Sequence, residues 1–221
     1  MHNTNAGIIT INKIISDTGA KRFTVAHEIG HFFNERNLKL TEPAEYDKSH
    51  ENMFRCVEND FTNANKIKKR EANANEFAAE LLMHRPWFNE FIIKREINFE
   101  LIKELANYFN VSLSAAAFRY VNIGKYPTAV IYSKDGIVKW SAFHDYFPFK
   151  FIPKNYKLSK ESAAYDFFDG KTMQTCSDLV QAKVWFPDNY KVKAGTYLYE
   201  QNTAMPNYNA VLTLLWESEF K

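Results

Sequence analysis

This chain has few of the features that would place it at once, and each shortage excludes something. Of its 221 residues only 2 are cysteines, Cys56 and Cys176, and neither sits in a CxxC or CxxH setting. That excludes a disulfide framework and a cysteine zinc site, and it fits a reducing cytosol. No sign of charge dominates: 28 Lys and Arg stand against 26 Asp and Glu, a formal net charge of +2. No large field therefore marks nucleic acid or an acidic membrane as the main partner. No apolar run approaches the roughly 18 residues that span a bilayer. The N-terminus, MHNTNAGIITINKIISD, lacks the basic and apolar regions of a secretory signal. Glycine is scarce at 7, with no repeat and no low-complexity tract, whereas 19 Phe, 12 Tyr and 4 Trp are present. That balance favours filled cores or an aromatic groove over disorder. The expectation is a soluble, cytoplasmic protein of one or two domains, with no membrane partner.

Local patterns divide the chain near residue 126. GIITINKII is β-branched and predicts a strand, and Ser16, Asp17 and Thr18 offer N-caps for a helix over about 20–35. Residues 37–65 suggest a long polar loop, and a second helix is expected over about 66–83, stopping before Pro86. NFELIKELANYFNVSLSAAAFRYVNIG predicts two more helices, 98–109 and 113–122, with Ser112 as N-cap and Gly124 past the end. Beyond Pro127 the texture turns to strands. TAVIYSKDGIVKWSAF is a hairpin pattern around Asp135-Gly136, KESAAYDFFDG one helix ended by Gly170, and DLVQAKVWF, GTYLYEQ and AVLTLLWE are strands.

KRFTVAHEIGHFF carries the chemistry. On a helix, His27 and His31 differ by only about 40° around the axis, so both imidazoles leave one face. Two nitrogen donors on one face suit zinc. Glu28, about 100° round from His27, can reach a metal-bound water as a general base without becoming a ligand. The rest of the helix is apolar nearly all round, which predicts burial. Two buried histidines and a glutamate without partners would cost several kcal/mol. A satisfied pair of core histidines is the competing reading.

Catalytic zinc usually takes three protein ligands. No histidine follows in FFNERNLKLTE, so a glutamate from a later helix is the other common solution. KKREANANEFAAELLM offers Glu71, Glu76 and Glu80. Helical angles set Glu71 and Asn75 within the stripe of Ala74, Phe77, Ala78, Leu81 and Leu82, and Glu76 and Glu80 on the opposite, solvated face. Glu71 is thus the candidate third ligand, and Asn75 a candidate hydrogen-bond partner that orients a ligating histidine. An ion pair of Glu71 with Arg22 or Arg119 is the bland alternative.

RFTVAHEIGHFF followed by EANANEFAAELLM resembles the ImmA/IrrE family of zinc metallopeptidases over roughly residues 7–125. Two motifs in order are far more specific than HExxH alone. The resemblance implies one zinc per chain held by His27, His31 and Glu71, with Glu28 as base. It implies intracellular cleavage of a helix-turn-helix repressor, in a stress or mobile-element response of a bacterium or phage. It departs from the family pattern in three ways: His84-Arg85 intervene before Pro86, an extra Ala-Asn step puts Asn73 where a glutamate often stands, and little chain precedes GIITIN. Residues 126–221 are also too few for a full sensor domain.

The expected fold is α+β: a mainly helical, gluzincin-like metallopeptidase domain (1–93), a helix-turn-helix-like segment packed on it (94–125), and a small strand-rich α+β domain (126–221). Candidate donors to a reaction oxyanion, by type alone, are Tyr46, His50, His84 and Tyr120. A peptide deformylase is excluded because no cysteine precedes His27. The competing class is a DNA- or partner-binding regulator with a structural or vestigial metal site. Arg119 is the one basic side chain on the would-be recognition helix, which makes direct DNA binding unfavourable. The run WSAFHDYFPFKFIP is expected to be core, with a hydrophobic groove as the alternative.

Overall fold

The computed structural model describes residues 8–12, 15, 17–41, 64–153, 155–174 and 176–217. Ser16, Tyr46, His50, Cys56 and most of the loop expected over 37–65 lie outside them. The chain divides into two compact units, Met1–His84 and Arg85–Lys221. One boundary thus falls after His84, and the segment 94–125 belongs to the same unit as the sheet.

The first unit contains two long helices, α1 (Thr18–Thr41) and α2 (Ala64–Leu82). Asp17 starts α1: its Oδ1 accepts from the Ala20 N–H at 2.6 Å, satisfying one of the orphan donors of the first turn. Residues 8–12 join no strand, and Ile8 is fully exposed, which corrects the expected N-terminal strand. The burial of α1 is also narrower than its composition suggests. Ala26 and Gly30 are buried, but Phe32 and Phe33 remain 37% and 45% exposed. The buried face is a strip of small residues laid against α2, where Ala74 and Ala78 are fully enclosed. A Cβ at Gly30 would stand 3.1 Å from the Ala74 Cα and carbonyl oxygen, so the two backbones nearly touch there. Glu76 is exposed, as its helical angle requires, while Leu81 is 54% exposed and departs from the expected stripe.

The second unit opens with α3 (Arg85–Ile92), which sequence patterning did not anticipate. Pro86 ends the run before it and also suits the first turn of a new helix, where no N–H is needed. α4 (Phe99–Phe109) and α5 (Leu113–Ile123) follow at the expected places. Asn98 and Ser112 cap them by accepting from Leu101 and Ala115 N–H, and Asn110 makes the corner at φ 52°. β1 (Thr128–Lys134) and β2 (Ile137–Phe143) form the expected hairpin, with Asp135 and Gly136 both at positive φ as a type I′ turn demands.

After α6 (Ala163–Phe168), β3 (Asp178–Gln181) gives way to one turn of helix, α7 (Ala182–Trp185), and then β4 (Tyr197–Met205) and β5 (Ala210–Glu217). The sheet is antiparallel in the order β2-β1-β5-β4-β3. On one face Ile131, Val138, Leu198, Val211 and Leu215 pack with Phe147, Phe149, Trp185 and Phe186. α4 and α5 lie on the other, where Phe118 meets Trp140 and the Phe99 N–H donates to Gln201. The aromatic run near 140–151 supplies core residues, since Phe147 and Phe149 are 1% and 4% exposed. Among the described residues the fold is α+β, and no helix is long and apolar enough to cross a membrane.

A polar cluster stiffens this core. Glu200 is 2% exposed and accepts from Ser162 Oγ, the Ala164 N–H, Trp185 Nε1 and Asn202 Nδ2, and Asn202 Oδ1 in turn accepts from Thr213. That cluster carries β4 through the polar stretch Asn202-Thr203, past the expected end of the strand.

Candidate metal centre

Three of the residues singled out by helical angle converge in the first unit. His27 and His31 project from α1 toward Glu71 on α2, and one ligand atom from each lies within 4.8 Å of the others. Glu71 Oε2 is 3.3 Å from His27 Nε2, and Glu71 Oε1 is 3.3 Å from His31 Nε2. The two Nε2 atoms are 2.9 Å apart, and the rings meet nearly edge to face at 83°. All three side chains are partly exposed, so the cluster opens to solvent on one side.

These spacings suit a metal cradle. A charge-assisted N–H···O bond closes to about 2.7–2.9 Å. Donors about 2.0–2.1 Å from a tetrahedral zinc stand roughly 3.3–3.4 Å from one another, the edge of that tetrahedron. Both histidine–glutamate separations have the second value. The histidine–histidine gap falls about 0.4 Å short of that edge, a difference small rotations of the rings can supply. Two nitrogens and a carboxylate oxygen are also the donor set zinc accepts in catalytic sites. The residues present fit the ion.

Asn75 completes the arrangement where its position one turn beyond Glu71 put it. Its Oδ1 is 2.9 Å from His27 Nδ1. An amide oxygen only accepts, so this contact suits the tautomer of that ring with Nδ1 protonated. Nε2 of His27 then carries a lone pair directed at Glu71 and His31, the tautomer a metal ligand needs.

The other candidates separate clearly. Glu28 is exposed on α1, beside His27. His84 is exposed, with Nε2 4.0 Å from Glu80 Oε1. Tyr120 is fully enclosed in the second unit, which keeps it from a substrate, and burial raises its phenol above the usual range. Arg119 is 4% exposed in the same unit, which removes it from any surface that would meet DNA phosphates. Sequence reasoning missed Gly30; its signal was a residue without a side chain between two candidate ligands.

No curated protein matches the chain. Residues 1–120 match the model of the IrrE N-terminal-like domain, a peptidase family, and so take in both helices of the cluster. The match covers more than half of the sequence and carries with it a metallopeptidase type of function; the chain belongs to the ImmA/IrrE family.

Proposed function

We propose that the chain is an intracellular zinc-dependent endopeptidase whose substrate is a protein, a helix-turn-helix transcriptional repressor encoded nearby. The observation that carries this reading is the convergence of His27, His31 and Glu71 from two helices at ligand spacing. Bound there, zinc would lower the pKa of a water and polarise a peptide carbonyl. His27 and His31 supply neutral nitrogen donors, and Glu71 supplies the one negative charge. Asn75 holds His27 in the donating tautomer. Glu28, next to His27 and open to solvent, takes the proton from the attacking water and returns it to the leaving amine as the C–N bond breaks. Because Glu28 sits about 100° round the helix from His27, it serves the water without competing for the metal.

The burial of Arg119 weighs against the rival reading of a DNA-binding regulator. A repressor substrate, a stress or mobile-element setting and a cytoplasmic location rest on the family resemblance.

Metal analysis of the purified protein tests the site. The expected result is about one zinc per chain, falling sharply in Glu71→Ala. Full occupancy in Glu71→Ala would remove that residue from the ligand set. Incubation with the adjacent repressor, followed by mass mapping of new termini, tests the substrate.

A further inference from the structure

We infer that the contact between Gly30 and Ala74 sets the spacing of the metal site, which makes Gly30 a positioning residue for metal binding. This rests on the reading of His27, His31 and Glu71 as ligands. The two helices carry the same pattern: His27-x-x-Gly30-His31 on α1 and Glu71-x-x-Ala74-Asn75 on α2. In each, the polar pair is four residues apart and the small residue lies three after the first member, about 60° to one side of it. Where the two small residues meet, the polar pairs beside them face each other. The result is the set of separations at the site, 3.3 Å, 3.3 Å and 2.9 Å, with a further 2.9 Å from His27 to Asn75.

The contact has almost no slack. A Cβ on Gly30 would meet the Ala74 Cα and carbonyl oxygen at 3.1 Å and the Phe77 Cβ at 3.2 Å. Two of those three atoms are backbone and the third is the root of a side chain, so none swings aside. Ordinary carbon contacts need about 3.5–4.0 Å, so one methyl at residue 30 drives α1 and α2 apart by several tenths of an ångström. Metal–ligand distances tolerate only about 0.2 Å. The ligands come from both helices, so the displacement carries Glu71 away from the histidines and adds to the adjustment their rings must make. Helix propensity runs the other way: alanine is preferred to glycine inside a helix. A glycine at this point is disfavoured by everything except the close approach.

The test is zinc affinity of purified Gly30→Ala against wild type, measured by competition with a chromophoric chelator. Cobalt(II) absorption reports the geometry of the site. Binding about tenfold weaker or more is expected, the size of effect seen when groups supporting metal ligands are lost. The cobalt bands should change while far-ultraviolet circular dichroism shows the helices intact. Ala78→Gly loosens the same helix pair one turn away without adding bulk. It should melt earlier yet keep zinc affinity within about twofold. Ala74→Ser, which adds one atom from the α2 side, should weaken zinc in the same direction and decides the matter if Gly30→Ala does not fold. A folded Gly30→Ala with wild-type zinc affinity and an unchanged cobalt spectrum overturns the inference alone. A wild-type protein that binds no zinc overturns the metal reading itself, and this inference with it.

Discussion

Two helix pairs in this molecule are built on opposite plans. α4 and α5 bury large side chains (Phe99, Leu101, Ile102, Leu105 and Phe109 on α4 alone), and asparagine and serine caps fix their ends. α1 and α2 bury glycine and alanine where they meet. Large side chains keep helix axes apart and leave the interface to repack when one is changed. Small residues bring backbones together, so short polar side chains on facing turns reach one another. The first plan yields a layer that covers a sheet. The second yields a place where three donors from two helices share a point.

The sharpest way to break that contrast is to strip chemistry from the small-residue pair without disturbing its spacing. Glu28→Gln should lower cleavage of the substrate by about 10²–10⁴-fold, as loss of a positioned proton acceptor does, while zinc content stays at the wild-type level. Cleavage that survives would move the base elsewhere. Next in size is a blow to the densely packed plan. Trp185→Ala removes a 1% exposed indole and leaves Glu200 short of a donor, so it should cost about 3–5 kcal/mol by denaturant titration. Zinc stoichiometry at low temperature should not change, because His27, His31 and Glu71 all lie in the first unit. The smallest effect comes from Asn75→Ala, which frees His27 to adopt either tautomer. Zinc affinity should drop by about 10–100-fold with little loss of stability, and an unchanged dissociation constant would strip Asn75 of its orienting role.

Much of the site was legible because helical periodicity is a strong signal in a two-helix problem. The same angular reasoning that paired His27 with His31 also separated Glu71 from Glu76, and the structure places Glu71 at the histidines and Glu76 in solvent. The β1–β2 hairpin was equally plain, since Asp-Gly names its own turn. The misreadings share one cause: patterns report what a residue prefers, and tertiary partners decide what it does. Apolar composition suggested that α1 is buried all round, yet the positions it buries against α2 are small ones, and Phe32 and Phe33 stay partly exposed. Asn202-Thr203 looked like the end of a strand until Glu200 and Thr213 supplied partners inside the sheet. DLVQAKVWF looked like one strand, but the chain turns into α7 at Ala182 and Trp185 there reaches Glu200.

β5 lies in the middle of the sheet, paired with β1 on one side and β4 on the other, and it follows the other four strands of that sheet in sequence. β4 meets β5 across the short connection 206–209, a local pairing, whereas β1 must find β5 from far back in the chain. Closing β1 onto β5 spans residues 135–209, a separation that slows folding far more than any helical contact. Until it happens, β1 offers a free row of backbone donors and acceptors to any other chain. The centre of the sheet is thus its longest closure, and the free edge of β1 is protected only once β5 pairs with it.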